Sequence, residues 1–407
     1  MSLHALMFGW EYPPLHLGGL GVACRGLVRG LLKLDIKITL ALPHAGSTDE
    51  GVSFLSPTET TFHSIKIASR LTPYDSEDDY AWRVHKLPAD VRDIYGEDLG
   101  QSIEYFTASA VEMTKNTAPD IIHCHDWMTY DAGIRAKAFH RRPLVAHIHA
   151  TELDRTNFRP NMWIYDRERR GFAAADRIIA VSNYTKGILV RHYGVPAEKV
   201  SVVHNGNAED FCNLPDSVRW SVPRRKLPMV LFLGRLAIQK GIHQFLAMAA
   251  EVHRIRPDVE FVIAGSGSMV GELVEKSIAL GLERCVIFAG KVDSNEAKTL
   301  YAQADCFVMP SLSEPFGLVA LEAASYGTPV ILSRQSGAGE VLNHAFKVDF
   351  WDTHKMADCV LTILRDDHLA HQLRSEIRND LASLTWANQA GIVKSIYERT
   401  LSNNLTA

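Results

Sequence analysis

Short apolar runs rich in Val and Ile alternate along the chain with longer stretches of helical period. Such runs, bounded by turn residues, read as buried strands, and the period-3.6 stretches as helices packed on them. The pattern predicts strands over Leu3–Gly9, Ile36–Leu42, Ile121–His125, Leu144–His149, Arg177–Val181 and Val200–His204. Amphipathic helices are predicted at Gly21–Lys33 and Ser102–Lys115. A second series begins after the polar, proline-bearing stretch Leu214–Pro228. Its strands are expected at Met229–Gly234, Glu260–Gly265, Val286–Ala289, Cys306–Pro310 and Pro329–Leu332. Its helices are expected at Ile242–Arg256, Gly271–Leu280, Asn295–Gln303 and Leu318–Tyr326. Strand–helix alternation of this kind argues for parallel sheets covered by helices on both faces. Two series joined by a linker predict two α/β domains, residues 1–213 and 214–385. A last helical pattern from Trp386 is expected to pack back on the first domain.

Composition narrows this picture. A chain of 407 residues exceeds one ordinary core. It is 46% hydrophobic and 22% charged, as a globular protein is. A net charge of −4 provides no overall basic field, which argues against general nucleic-acid binding. The six cysteines are scattered without a CxxC pair, the expectation for buried thiols in a reducing compartment. No apolar run reaches the roughly 18 residues of a membrane span, and the first apolar run lacks a basic leader. A cytoplasmic protein is expected, with membrane association not indicated. The acidic stretch Tyr74–Tyr80 reads as a solvated insertion.

The chemistry is expected in the loops after the strands, because doubly wound sheets bind ligands beyond their carboxyl ends. After the first strand comes Trp10-Glu11-Tyr12-Pro13-Pro14, then His16-Leu17-Gly18-Gly19-Leu20-Gly21 at a helix start. Glycines there let backbone amides approach an anion, or simply pack a tight turn. The spacing matches neither a dinucleotide fingerprint nor a P-loop. After the first strand of the second series, Gly234-Arg235 and Lys240-Gly241 place a guanidinium and an ammonium on one loop. These could neutralise a diphosphate, or form a solvated basic loop. Gly265-Ser266-Gly267 is a weak fingerprint and reads as a small-residue turn. Glu314-Pro315-Phe316-Gly317-Leu318 leads into a helix that carries Glu322 about one turn inside it. This offers two carboxylates and the amides of a helix start to a polar ligand. The pairs His123/His125 and His147/His149 each put both rings on one face of a strand. They could hold a metal with Asp126 and Glu152, or line a polar sugar-binding wall.

Together these segments resemble the retaining glycosyltransferases of family 4, the group that includes bacterial and archaeal glycogen synthases. The most specific part is Glu314 to Glu322 combined with Gly234-Arg235…Lys240-Gly241. The N-terminal Trp-Glu-Tyr-Pro-Pro…Gly-Gly-Leu-Gly, His125-Asp126-Trp127, Ser182-Asn183 and His204-Asn205-Gly206 add to it. Thr151-Glu152-Leu153-Asp154-Arg155 leans towards the α-glucan synthases.

The resemblance implies the GT-B fold, two Rossmann-like doubly wound domains facing a central cleft. It implies transfer of a hexose from a nucleotide sugar to a carbohydrate acceptor, with no cofactor and no metal. Arg235 and Lys240 would hold the donor diphosphate with the amides of Gly18 and Gly19. Glu322 would bind the ribose. Glu314, with the amides of Phe316, Gly317 and Leu318, would meet the donor sugar, and His149 would lie at the reacting centre. Asp126 and Trp127 would lie towards the acceptor. His16 stands where ADP-glucose-dependent glycogen synthases commonly carry a lysine, so UDP- and ADP-linked donors both remain open. A transferase acting on cell-envelope or lipid-linked glycans, a non-catalytic sugar-nucleotide sensor and a histidine-based metal hydrolase are the alternatives. A basic patch of Arg135, Lys137, Arg141 and Arg142 would serve a membrane-facing variant.

Overall fold

The computed structural model describes residues 2–14, 19–44, 47–57, 99–207 and 225–405. The stretch Tyr74–Tyr80, the residues His16 and Gly18, Cys212 and positions 214–224 lie outside the described residues. The chain divides into two compact units, Met1–Gly206 with Trp386–Ala407, and Asn207–Thr385.

The first unit is built on seven parallel strands: β1 (His4–Phe8), β2 (Lys37–Ala41), β3 (Val52–Leu55), β4 (Ile121–His125), β5 (Leu144–Ile148), β6 (Arg177–Ala180) and β7 (Val200–Val202). Their order is β3-β2-β1-β4-β5-β6-β7. Every residue of β1, β4 and β5 is buried, which explains why these strands read as unbroken runs rather than alternating ones. The helices are α1 (Gly19–Leu32), α2 (Leu99–Thr114), α3 (Trp127–His140), α4 (Glu152–Arg155), α5 (Met162–Ala174) and α6 (Asn183–Tyr193). Local chemistry fixes several of their starts. The Ser182 hydroxyl accepts from the Thr185 amide at 3.0 Å to open α6, and Thr151 with Asp154 forms a reciprocal capping box on α4.

The second unit carries six parallel strands: β8 (Met229–Leu233), β9 (Glu260–Ala264), β10 (Val286–Gly290), β11 (Cys306–Met309), β12 (Val330–Ser333) and β13 (Phe346–Val348). Their order, β10-β9-β8-β11-β12-β13, repeats the first six strand positions of the other sheet. Its helices are α7 (Ile242–Ile255), α8 (Val270–Ala279), α9 (Ser294–Gln303), α10 (Leu318–Ser325), α11 (Thr353–Arg365) and α12 (Asp367–Asp380). The chain then ends in α13 (Trp386–Leu405), which lies against α1. Trp386, Ala390, Val393 and Tyr397 join Ala23, Leu27 and Leu31 in one apolar cluster. The approach needs glycine in α1: a Cβ at Gly26 would fall 2.2 Å from the Trp386 ring.

Both units are therefore α/β and doubly wound. In each sheet the order reverses once, between β1 and β4 and between β8 and β11. The crevice beyond the carboxyl ends at such a reversal is where ligands of these sheets bind.

Candidate functional site

In the second unit the loops after β8 and β11 flank the reversal point, and they are sewn together. Leu312 N donates to Gln239 O, and the buried Gln239 amide donates to Ser313 O, both at 2.9 Å. This stitch delivers Lys240 to Glu314, 74 positions away in sequence, with Nζ 2.6 Å from Oε2. The Ser311 hydroxyl lies 3.3 Å from the same oxygen. Glu314 is buried while Lys240 and Arg235 are half-buried, so the carboxylate anchors the ammonium near the surface.

The Glu314–Phe316 segment is pinned from its other side. Gly337 N donates to Glu314 O at 3.0 Å and Ala338 N to Phe316 O at 2.7 Å. Gly317 then opens α10 with φ of +100°. A side chain there would be strained, and its Cβ would meet Met309 Cε at 2.8 Å. Glu322, on α10, accepts from the Tyr301 hydroxyl at 2.8 Å. Burial raises its pKa, and the Tyr301 hydrogen bond partly offsets this. Gln239 and Tyr301 are site-building residues that the motif reading did not single out. The Gly265–Gly267 turn packs on the loop after β8, with Leu236 N donating to Ser266 O at 2.9 Å.

In the first unit Gly19 is the first residue of α1 and is exposed. Asp126 and Trp127 follow β4, and His149 follows β5. The two histidine pairs are in register, His125 opposite His147. Their four rings form one cluster, stacked at His123/His125, His125/His149 and His147/His149 and tilted at the other pairs, with neighbouring centroids 4.3 to 5.4 Å apart. His123 Nε2 lies 3.2 Å from His147 Nδ1, and His125 Nδ1 lies 3.1 Å from His149 Nε2. The Tyr397 hydroxyl of α13 bonds His123 Nδ1. Burial holds all four rings neutral: His123, His125 and His147 fall well below the ordinary value, and His149 is pushed down to about 3. Ring nitrogens of His123, His125 and His147 lie within 4.8 Å of one another. The His123 and His125 planes are 15° apart. The His147 ring is tilted 31° and 32° to these two, and His125 Nε2 and His147 Nε2 are buried without a hydrogen-bond partner.

A buried charge cluster fixes the turn that carries His149. Asp126 Oδ1 accepts from His149 N at 2.7 Å, and Arg155 Nη2 donates to Ala150 O at 2.6 Å. The Arg155 guanidinium lies 3.6 to 3.8 Å from Asp126, Glu152 and Glu168. Burial pushes Asp126 up to about 6 and Glu168 up to about 8, against the pull of the single Arg155 cation that the three carboxylates share. Asp126 also holds φ 62° and ψ 167°, a backbone region that side chains rarely adopt. Such strain costs about 1–3 kcal/mol and persists where surrounding bonds impose it. Asp126 and Trp127 are themselves almost wholly buried, at 1% and 0% exposure.

The basic patch is smaller than the sequence suggests. Arg135, Arg141 and Arg142 are exposed, but Lys137 donates to Asp176 at 2.7 Å and to Ala174 O at 2.8 Å. Among the described residues no helix is long and apolar enough to cross a membrane.

Comparison with known proteins matches this architecture unit by unit. The model of the family "Glycosyltransferase Family 4" matches residues 17–210, and that of "Glycosyl transferases group 1" matches residues 217–380. An uncharacterized glycosyltransferase of Methanocaldococcus jannaschii is 29% identical, over 96% of this chain and 97% of its own. The glycogen synthase of Mycobacterium tuberculosis is 28% identical, over 97% of this chain and 94% of its own. The solved sucrose-phosphate synthase of Thermosynechococcus elongatus superposes with a TM-score of 0.77, covering 99% of this chain and 100% of that one at 19% identity, a likeness of fold. With one family model on each unit and the doubly wound fold in both, the chain belongs to the glycosyltransferases of the GT-B fold.

Proposed function

We propose that this glycosyltransferase moves glucose from a nucleoside diphosphate sugar to an α-glucan acceptor, with retention of configuration and without a metal. The observation that carries the reading is the Lys240–Glu314 ion pair at the reversal point of the second sheet, with Arg235 on the same loop. The pair keeps an ammonium in place before the donor arrives. Donor phosphate oxygens then engage Lys240 and Arg235, and Glu314 turns its acceptor capacity to hydroxyls of the sugar. Glu322, oriented by Tyr301, takes the ribose hydroxyls. The neutral imidazole of His149 offers a hydrogen bond to the sugar without adding charge next to the reacting carbon.

In the reaction the bond between the anomeric carbon and the diphosphate oxygen breaks, and its electron pair leaves with the diphosphate. The acceptor oxygen bonds to the anomeric carbon from the same face. Its proton passes to the departing diphosphate oxygen. A double displacement would instead need a carboxylate free to attack. With the donor bound, Glu314 is taken up by the sugar hydroxyls and by Ser311, which makes it a poor nucleophile. Arg235 and Lys240 take the charge that develops on the leaving group. The five described cysteines are free and buried, which suits action in the cytoplasm.

The test is nucleotide release from UDP-glucose, ADP-glucose, GDP-mannose and UDP-N-acetylglucosamine, with and without maltooligosaccharide, in EDTA. Acceptor-stimulated release from one glucose donor is expected. Release that maltooligosaccharide leaves unchanged would contradict the α-glucan acceptor, and release abolished by EDTA would contradict metal independence.

A further inference from the structure

The sequence points to Trp127 as an acceptor contact, but its ring is fully buried in the core of the first unit. It meets another tryptophan there. Trp163, at the start of α5, presents its ring to Trp127 edge-on, with centroids 5.6 Å apart and planes at 80°. Asn161 caps this helix start by accepting from Trp163 N at 3.0 Å. Trp163 is 38% exposed.

The ring is also held from one face. Arg167, one turn further along α5, places its guanidinium 3.8 Å from the ring centroid. Its side chain is only 9% exposed, so it lies beneath the ring, and the opposite face is the open one. Arg167 is itself fixed by Glu104 of α2 and, at 3.4 Å, by Asp131 of α3. Asp131 also takes Arg170 at 2.8 Å. Three helices thus converge on the guanidinium that backs the aromatic plate.

We propose that Trp163 is an acceptor-binding residue, stacking its open face on a pyranose ring of the carbohydrate acceptor. The inference rests on the transferase reading above and assigns that reaction a binding plate. A pyranose offers a flat C–H face to the indole, and the exposed Glu104 and Arg170 side chains keep the surroundings of the plate charged. A lipid surface or an apolar helix would desolvate these charges without replacing their hydrogen bonds. The plate is continuous with the candidate centre: Trp163 touches Trp127, Trp127 follows Asp126, and Asp126 holds the amide of His149. A ring already fixed on one edge and one face loses little freedom on binding.

The experiment titrates maltooligosaccharide into the full chain with UDP present, by calorimetry, for wild type, Trp163→Ala and Trp163→Phe. Parallel UDP titrations and melting curves accompany it. Trp163→Ala is expected to weaken oligosaccharide binding about tenfold, an aromatic contact being worth roughly that factor. Trp163→Phe should recover most of the loss, and UDP affinity should stay within about twofold. Equal oligosaccharide affinity in wild type and Trp163→Ala would overturn the proposal. So would a parallel loss of oligosaccharide affinity, UDP affinity and melting temperature, which would make the ring structural. Oligosaccharide binding that depends on Trp163, in a wild type that turns over no sugar nucleotide, would contradict the transferase reading and leave this binding plate standing.

Discussion

The two sheets reverse their order at equivalent places and furnish those places with opposite electrostatics. At the first, between β1 and β4, the neighbourhood is buried and neutralised, with four uncharged imidazoles and one arginine confined among three carboxylates. At the second, between β8 and β11, a partly exposed lysine paired with a buried glutamate, and a guanidinium, lie in stitched loops. Topology sets where a ligand can bind, and side-chain charge sets which part of it. Fixed cations at partial exposure suit a diphosphate. Neutral imidazoles suit a sugar, because they can hydrogen-bond hydroxyls without a competing charge.

The sharpest way to break this comparison is to remove a cation from the second site. Arg235→Ala should lower turnover about a hundredfold, the loss expected for one preorganised charge-stabilising donor, with a mild effect on melting temperature. Steady-state kinetics checks it, and unchanged turnover would remove Arg235 from the chemistry.

Acid tests the first site. The clustered histidines have native pKa values depressed below the unfolded value of about 6.5. Below that pH the unfolded chain binds protons that the native cluster refuses. Their contribution is therefore present above pH ~6.5 and is lost as pH falls towards the native values. Each such histidine adds a slope approaching about 1.4 kcal/mol per pH unit. Asp126 and Glu168, raised to about 6 and about 8, act in the opposite sense. They take up protons natively before the unfolded chain does, which partly offsets the loss until pH ~4, where unfolded carboxylates protonate too. Hydrogen exchange at pH 7 and pH 4.5 should show β4 and β5 losing protection before β8 and β11. Equal loss in both sheets would contradict the contrast.

The smallest effect is at the back of the cluster. Tyr397→Phe removes the hydroxyl that bonds His123 and should cost about 1 kcal/mol by urea denaturation, leaving nucleotide affinity unchanged.

Much of the fold was readable because buried parallel strands write themselves as Val- and Ile-rich runs. Met229–Leu233 and Ile121–His125 lie where the pattern places them. The pattern did not pick out α5, and the reason is physical. Its buried set includes Arg167 and Glu168 beside Ile164 and Phe172, so charge interrupts the apolar stripe. It also did not pick out α3, whose first turn is buried on every side at Trp127, Met128, Thr129 and Tyr130 and so lacks a polar face. The short β13 carries Lys347 at its centre. At the sites, motif residues could be named from sequence, but their partners could not. Nothing in the chain's order pairs Lys240 with Glu314, Tyr301 with Glu322 or Tyr397 with His123. Thr151 and Asp154 do carry the spacing of a capping box, a signal the motif reading passed over.

The division of labour between the two sites can be measured without turnover. UDP and ADP would be titrated calorimetrically into wild type, Glu322→Gln and His149→Ala. The account predicts that Glu322→Gln weakens nucleotide binding about tenfold, as loss of a charged hydrogen-bond acceptor should. His149→Ala should leave it within about twofold. Wild-type affinity in Glu322→Gln together with a large loss in His149→Ala would place the nucleotide at the first sheet and contradict the account.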